Sequence, residues 1–306
     1  MDKLQGDILL LIQSKDNSGQ YYSTNQICNK LGITKERYFF ELRRICEAGI
    51  PLTIQGDDVV RFNWPQRTRT PYNMDMNKDH VRLALLGDTH MASKYTDLDS
   101  LNRAYDLIER KQVDAVIHSG DLVDGLVSSP HYDPRQELIE PTYKGQVEYT
   151  IDRYPKYSGK TFIISGNHDD YWTRLTGKEP IKDIADKRDD MVYLGPSRRV
   201  VLINGLKVNV LHGRFARGSS ENIYTYIDGI PTRYKPDIVH SGHYHNGKHT
   251  KYDGVDVFRS GSFMHQKPRE KERGQVTDNS TYFVDVYYDD DGNVAEITHE
   301  KKTFRK

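Results

Sequence analysis

The chain has 306 residues, with 44 Lys+Arg against 44 Asp+Glu, 36% hydrophobic and 29% charged residues. These are the proportions of an ordinary globular protein of about two domains, and they exclude disorder and collagen-like structure. The charge balance excludes a global electrostatic grip on nucleic acid, so anion binding has to come from local features such as bound metals. The longest apolar run, residues 8–12, is closed off by Asp7 and Gln13. It is too short for the roughly 18 residues of a membrane helix or the about 7 to 15 of a signal peptide. A cytoplasmic protein without membrane contact is expected. Cys28 and Cys46 have no partner motif and read as small core residues.

Along the chain, Leu4, Ile8, Leu11 and Ile12 recur at helical spacing. Thr24 can cap a second helix carrying Ile27, Cys28 and Leu31, and Gly32 ends it. Thr34 begins a third helix with Tyr38, Leu42 and Ile45 on one face and Gly49 at its end. PLTI and VVRF then read as strands joined by a turn at residues 55–58. Three helices followed by a two-stranded wing resemble the winged helix-turn-helix family, which assigns residues 1–63 to such a domain. Residues 64–80, with two prolines and no periodicity, read as a linker, and residues 81–306 as the second domain. In that domain VRLALLG, DAVIHSG, TFIISG and PDIVHSG are buried strands, and residues 97–111 have helical spacing. RVVLINGLKVNVLHG is a hairpin turning at Asn204 and Gly205, and VDVFRSGSF and the segment from TYFVDVYY onward complete a strand-rich end. The fold class is α/β with a layered sheet core.

Five segments share one design, a strand end followed by a small residue and metal-ligand residue types: Gly87-Asp88-Thr89-His90, Gly120-Asp121-Leu122-Val123-Asp124, Gly166-Asn167-His168-Asp169, His212-Gly213 and Gly242-His243-Tyr244-His245. Loops at the carboxyl ends of strands converge on one crevice. Alternation explains the DTH and HYH spacing, since residues two apart on an extended segment point to the same side and can grip one ion. Oxygen and imidazole donors without thiolate suit manganese, iron or zinc.

The blocks, in this order, resemble the calcineurin-like metallophosphoesterase family over about residues 81–265. The resemblance implies a calcineurin-like layered core and two divalent ions, Mn2+ first, with Fe or Zn as alternatives. Asp88, His90 and His245 would hold one ion, Asn167, His212 and His243 the other, and Asp121 would bridge them. His168 matches the family's general acid and Asp124 the carboxylate that orients it. Asp169 is read either as support for the site or as a turn cap. Paired ions with surplus positive charge attract phosphate and favour in-line hydrolysis.

Substrate signals are sparser. Arg214 and Arg217 can clamp a phosphate bidentately, and Tyr171 and Trp172 can stack on bases. Residues 125–158, with Tyr132, Tyr143, Tyr149 and Tyr154, are a candidate cap, and the basic segment 267–274 a candidate backbone contact. Gly125 and Ser165 stand where phosphoprotein phosphatases of this superfamily carry arginines, and GNHD followed by Arg174-Leu175 looks like the repair-exonuclease branch. In the first 65 residues, four Lys and four Arg balance five Asp and three Glu, so DNA contact there rests on Lys35, Arg37, Arg43 and Arg44. The expected function is metal-dependent hydrolysis of DNA phosphodiesters. The alternative is a phosphodiesterase for small or cyclic nucleotides, with the winged helix serving a homodimer or partner-protein contact. A DNA-binding regulator with a vestigial site is the third reading, disfavoured by the intact ligand set.

Overall fold

The computed structural model describes residues 3–13, 20, 22–47, 52–55, 59–62, 71–126, 133–213, 221–272 and 274–304. The chain divides into two compact units, Met1–Arg69 and Thr70–Lys306.

The first unit holds three helices, α1 (Lys3–Gln13), α2 (Thr24–Leu31) and α3 (Lys35–Glu47), and a hairpin of β1 (Leu52–Gln55) and β2 (Val59–Phe62). Ser23, not Thr24, caps α2. Its hydroxyl accepts the Gln26 N–H at 3.3 Å while the Gln26 side chain accepts the Ser23 N–H at 2.8 Å, and Thr24 is the first helical residue, buried. Gly32 closes that helix in the left-handed conformation. Ile8, Ile12, Ile27, Cys28, Tyr38, Leu42 and Ile45 form the unit's own core. The buried Glu41 accepts from Gln5 at 2.8 Å and pairs with Arg37 at 2.6 Å and Arg44 at 3.4 Å.

In the second unit the elements are β3 (Tyr72–Met74), β4 (His80–Leu86), α4 (Leu98–Arg110), β5 (Ala115–His118), α5 (Tyr143–Arg153), β6 (Lys160–Ser165), α6 (Asp169–Thr176), α7 (Pro180–Ala185), β7 (Met191–Pro196), β8 (Arg198–Ile203), β9 (Leu206–Leu211), α8 (Glu221–Asp228), β10 (Ile238–Ser241), β11 (Lys248–Tyr252), β12 (Val255–Arg259), α9 (Pro268–Glu272), β13 (Ser280–Tyr288) and β14 (Val294–Thr303). They build two six-stranded sheets, in the orders β14-β13-β4-β5-β6-β7 and β11-β12-β10-β9-β8-β3. Side chains alternate across each strand, so β4 sends Leu83 and Leu85 to the layer between the sheets and Ala84 and Leu86 to the helices. The inter-sheet core joins them to Val208, Val210, Ile238 and Phe258 of the other sheet. Leu101, Ala104 and Ile108 of α4 and Ile181 and Ile184 of α7 cover one outer face, and Ile223 and Ile227 of α8 cover the other. The result is a helix-sheet-sheet-helix stack.

The β8-β9 hairpin turns at Asn204 and Gly205, with φ 47° and 92°, the twist that two-residue hairpins favour. Tyr72–Met74 pairs with β8 in parallel, so part of the expected linker is a sheet edge. Three residues are too few to register as a period. Residues 133–158 form a core helix and its flanks: Val147 and Tyr154 are buried, Tyr143 and Tyr149 pack against the same core, and Tyr132 lies outside the described residues. No helix among the described residues is long and apolar enough to cross a membrane.

Candidate metal centre

The ligand-type residues follow β4, β5 and β6 of one sheet and β9 and β10 of the other. The first two loops are zipped by their main chains, Asp88 N–H to Gly120 C=O at 3.0 Å, His90 N–H to Asp121 C=O at 3.0 Å and Met91 N–H to Leu122 C=O at 2.7 Å. Closeness this tight excludes side chains between the loops. A Cβ on Gly166 would lie 2.2 Å from Asp121 Oδ1, and one on Gly120, whose φ is +98°, would lie 2.6 Å from Gly166 N. Asp169 locks the third loop on, accepting N–H bonds from Val123 at 2.9 Å, Gly166 at 2.8 Å and Leu122 at 3.3 Å. Its carboxylate is therefore a staple between two loops.

Asp88, His90, Asp121, His243 and His245 all have left-handed φ, between 44° and 83°. The extended alternation expected for DTH and HYH is thus replaced by tight turns. Backbone conformations this uncommon persist where surrounding bonds over-determine them, and they concentrate at functional sites. Here the two Asp88 oxygens each lie 2.9 Å from the His243 N–H.

Three sets of side chains present one ligand atom each, all within 4.8 Å of one another: Asp88, His90 and His245; His90, Asp121 and His168; and Asp121, His212 and His243. Asp121 Oδ2 stands 3.0 Å from His212 Nε2 and 3.8 Å from His90 Nε2, while its Oδ1 accepts the His168 N–H at 2.8 Å. Asn167 Oδ1 lies 3.1 Å from His212 Nε2. All seven expected ligand side chains are therefore gathered beyond the carboxyl ends of strands from both sheets. His90 Nδ1 donates to Asp124 at 2.9 Å and His212 Nδ1 to the Ser119 carbonyl at 2.8 Å, which leaves both Nε2 atoms turned inward. Asp88 and Asp121 are fully buried, a costly arrangement for two carboxylates without a cation. The donors fit one or more divalent ions: oxygen and imidazole, no thiolate.

Burial lowers the pKa of His90, His245 and His243, the last to about 4, and neighbouring histidines add to the effect. These are neutral, ligand-ready imidazoles. Burial, the largest single influence, acts against charge on His168 and His212, but Asp121 together with Asp124 for the first and with Asp88 and the Ser119 carbonyl for the second pushes them up to about 9 and about 10. Asp121 itself is disfavoured by burial yet held well below the carboxylate range by His212 and His168. His168 Nδ1 donates to the Asp124 carbonyl at 2.5 Å with the Asp124 carboxylate at 3.4 Å, and the ring keeps a fifth of its surface open.

The substrate residues fare differently. Arg214 and Arg217 lie outside the described residues. Trp172 is buried and donates from Nε1 to Gln146 at 2.9 Å; packed in the core, it offers no face to a base. Tyr171 packs edge-on against it and is partly buried. The basic segment expected to meet a nucleic-acid backbone turns two residues toward the site instead: Lys267 Nζ is 3.5 Å from Asp124 Oδ2, and Glu270 Oε1 is 3.7 Å from His245 Nδ1. No motif marks them.

Residues 81–281 match the calcineurin-like phosphoesterase superfamily domain. The DNA polymerase II small subunit of Thermoplasma acidophilum is 25% identical over 258 residues, 70% of this chain and 52% of that protein, so the chain spans about half the length of this curated relative. Among solved structures, a novel archaeal phosphodiesterase is 16% identical with a TM-score of 0.43, covering 73% of this chain and 99% of that one. Vps29 of Entamoeba histolytica, complexed with zinc, is 15% identical with a TM-score of 0.35, covering 74% and 100%. The matched domain runs from the first ligand loop past the last, and the chain belongs to the calcineurin-like phosphoesterase superfamily.

Proposed function

We propose that the protein is a binuclear, manganese-preferring phosphodiesterase that hydrolyses DNA. The observation that supports two ions is the place of Asp121, one oxygen of which faces a histidine of each terminal cluster, His90 and His212. Bound divalent ions supply Lewis acidity toward the phosphoryl oxygens and lower the pKa of water. Asp88, His90 and His245 would hold one ion, and Asn167, His212 and His243 the other. His168, its pKa raised and its ring partly open, is our general acid for the leaving oxygen, with Asp124 orienting its ring. Two features favour DNA: the relative is a DNA polymerase subunit, and the first unit has the helix-hairpin order of a winged helix, with Lys35, Arg37 and Arg44 on α3.

The test is a substrate panel with Mn2+: duplex and single-stranded DNA, RNA, cyclic nucleotides and a phosphomonoester, for the wild type and Asp121→Asn. The expected outcome is DNA cleavage by the wild type and a loss of about 1,000-fold or more in the variant, because amide oxygen lacks the charge to hold both ions. Near-normal cleavage by a folded Asp121→Asn would remove the binuclear site. Activity confined to cyclic nucleotides would replace DNA as the substrate.

A further inference from the structure

The loop before α9 and its first turn touch the candidate metal centre on one side only. Glu270 Oε2 accepts the Lys267 N–H at 2.8 Å, which fixes the carboxylate so that Oε1 lies 3.7 Å from His245 Nδ1. Lys267 Nζ, over the Tyr95 ring, reaches Glu137 at 3.1 Å and Asp124 Oδ2 at 3.5 Å, and the other oxygen of Asp124 takes the His90 Nδ1 hydrogen. The outer nitrogens of both imidazoles in the Asp88, His90 and His245 cluster therefore face carboxylates, and residues 267–270 touch both carboxylates. The outer nitrogen of His212, in the other cluster, donates instead to the Ser119 carbonyl beside β5.

We propose that residues 267–270 are a positioning clamp that sets the metal affinity of the Asp88, His90 and His245 position separately from that of the other. It rests on the two-ion reading above. A carboxylate behind an imidazole fixes the tautomer, turns the inner nitrogen to the ion and raises its basicity, and removing such a partner typically costs about 10- to 100-fold in affinity. Glu270 and Lys267 are positioning residues, acting through His245 and through Asp124.

The experiment is Mn2+ titration of the full chain by calorimetry, with electron paramagnetic resonance of the bound ions, for the wild type, Glu270→Ala and Glu270→Gln, after thermal melting of the metal-free proteins has shown equal stability. Two binding steps are expected in the wild type. In Glu270→Ala one step weakens about tenfold or more while the other is unchanged, and the spin-coupled signal of the ion pair gives way to an uncoupled one at low loading. Glu270→Gln falls between, since its amide oxygen accepts from Nδ1 without carrying charge. Unchanged steps in both variants, or equal weakening of both steps, overturn the clamp. A wild type that binds a single ion overturns the two-ion reading itself, a result distinguishable from either.

Discussion

His212 Nε2 lies 3.0 Å from Asp121 Oδ2, and the proton that a raised pKa keeps on that nitrogen stands where a ligand needs its lone pair. With His212 pushed up to about 10 by Asp121 and Asp88 against the effect of burial, that proton has to leave before an ion is held. Asp88, raised by burial, adds part of a second. Loading at pH 7 should release about one to two protons, and Mn2+ affinity should rise about tenfold per pH unit for each. Calorimetry in two buffers of different ionisation enthalpy measures this; a binding heat independent of buffer would mean that His212 is already neutral. At this scale the segments that carry the ligand-type residues were legible in the sequence because each contains a small residue at the end of an apolar run. The cause of the DTH and HYH spacing was not. Left-handed φ at Asp88 and His245 is imposed by neighbouring loops, and no local pattern encodes it. Glu270 and Lys267 stayed hidden for a similar reason, since a charged loop looks alike whether it faces water or a histidine.

Two central strands, β5 and β10, carry buried histidines at or one residue before their carboxyl ends, and these belong to none of the candidate ion-holding sets. His118 Nδ1 accepts the Gly120 N–H at 3.1 Å, and His240 Nε2 donates to the Leu86 carbonyl at 3.1 Å. Burial, first among the causes, lowers them to about 3 and about 4. The unfolded chain takes up protons near pH 6.5 while the folded one does not, so these groups' contribution is intact above about 6.5 and is lost as pH falls toward about 4, by up to about 3 kcal/mol for His240. His168 and His212 are raised and act on the alkaline side. Asp88 and Asp169, pushed up by burial, pull the other way in the acid window. The measurement is therefore a difference: urea midpoints of wild type and His240→Asn from pH 7 to 4, with a shallower fall expected in the variant. Parallel curves would mean that His240 takes up its proton alike in the folded and the unfolded chain. Strands were legible where both faces are covered, as in β4, β5, β6 and β10, whose apolar runs are continuous. The strands that escaped, β3, β7 and β11, are all sheet edges. β11, Lys-His-Thr-Lys-Tyr, is half open to water, and polar edges are what a sheet needs to avoid pairing with a stranger.

Each of the two units has its own core, and among the described residues every member of the three candidate ion-holding sets lies in the second. A chain lacking residues 1–69 keeps β3 in its sheet, which a cut at residue 77 would not. It should cleave a small phosphodiester at close to the full-length rate. Its affinity for duplex DNA should fall and depend less on salt, with the slope reduced by about 0.9 for each phosphate that the first unit neutralises. Arg37 and Arg44 share the buried Glu41, so that reduction should stay small. Equal affinities and slopes over a salt series would assign the first unit to protein contact. The two terminal clusters each draw on both sheets of the second unit: Asp88 and His90 meet His245 from across the sandwich, and Asp121 meets His212 and His243. An ion held there would be a rivet between sheets that otherwise adhere through the apolar layer and a few polar bonds, such as that of His240 to the Leu86 carbonyl. Shear of one sheet past the other by a single residue, about 3.3 Å, would pull both clusters apart while leaving most of the oily layer between them buried, so turnover is also a gauge of how the sandwich is registered.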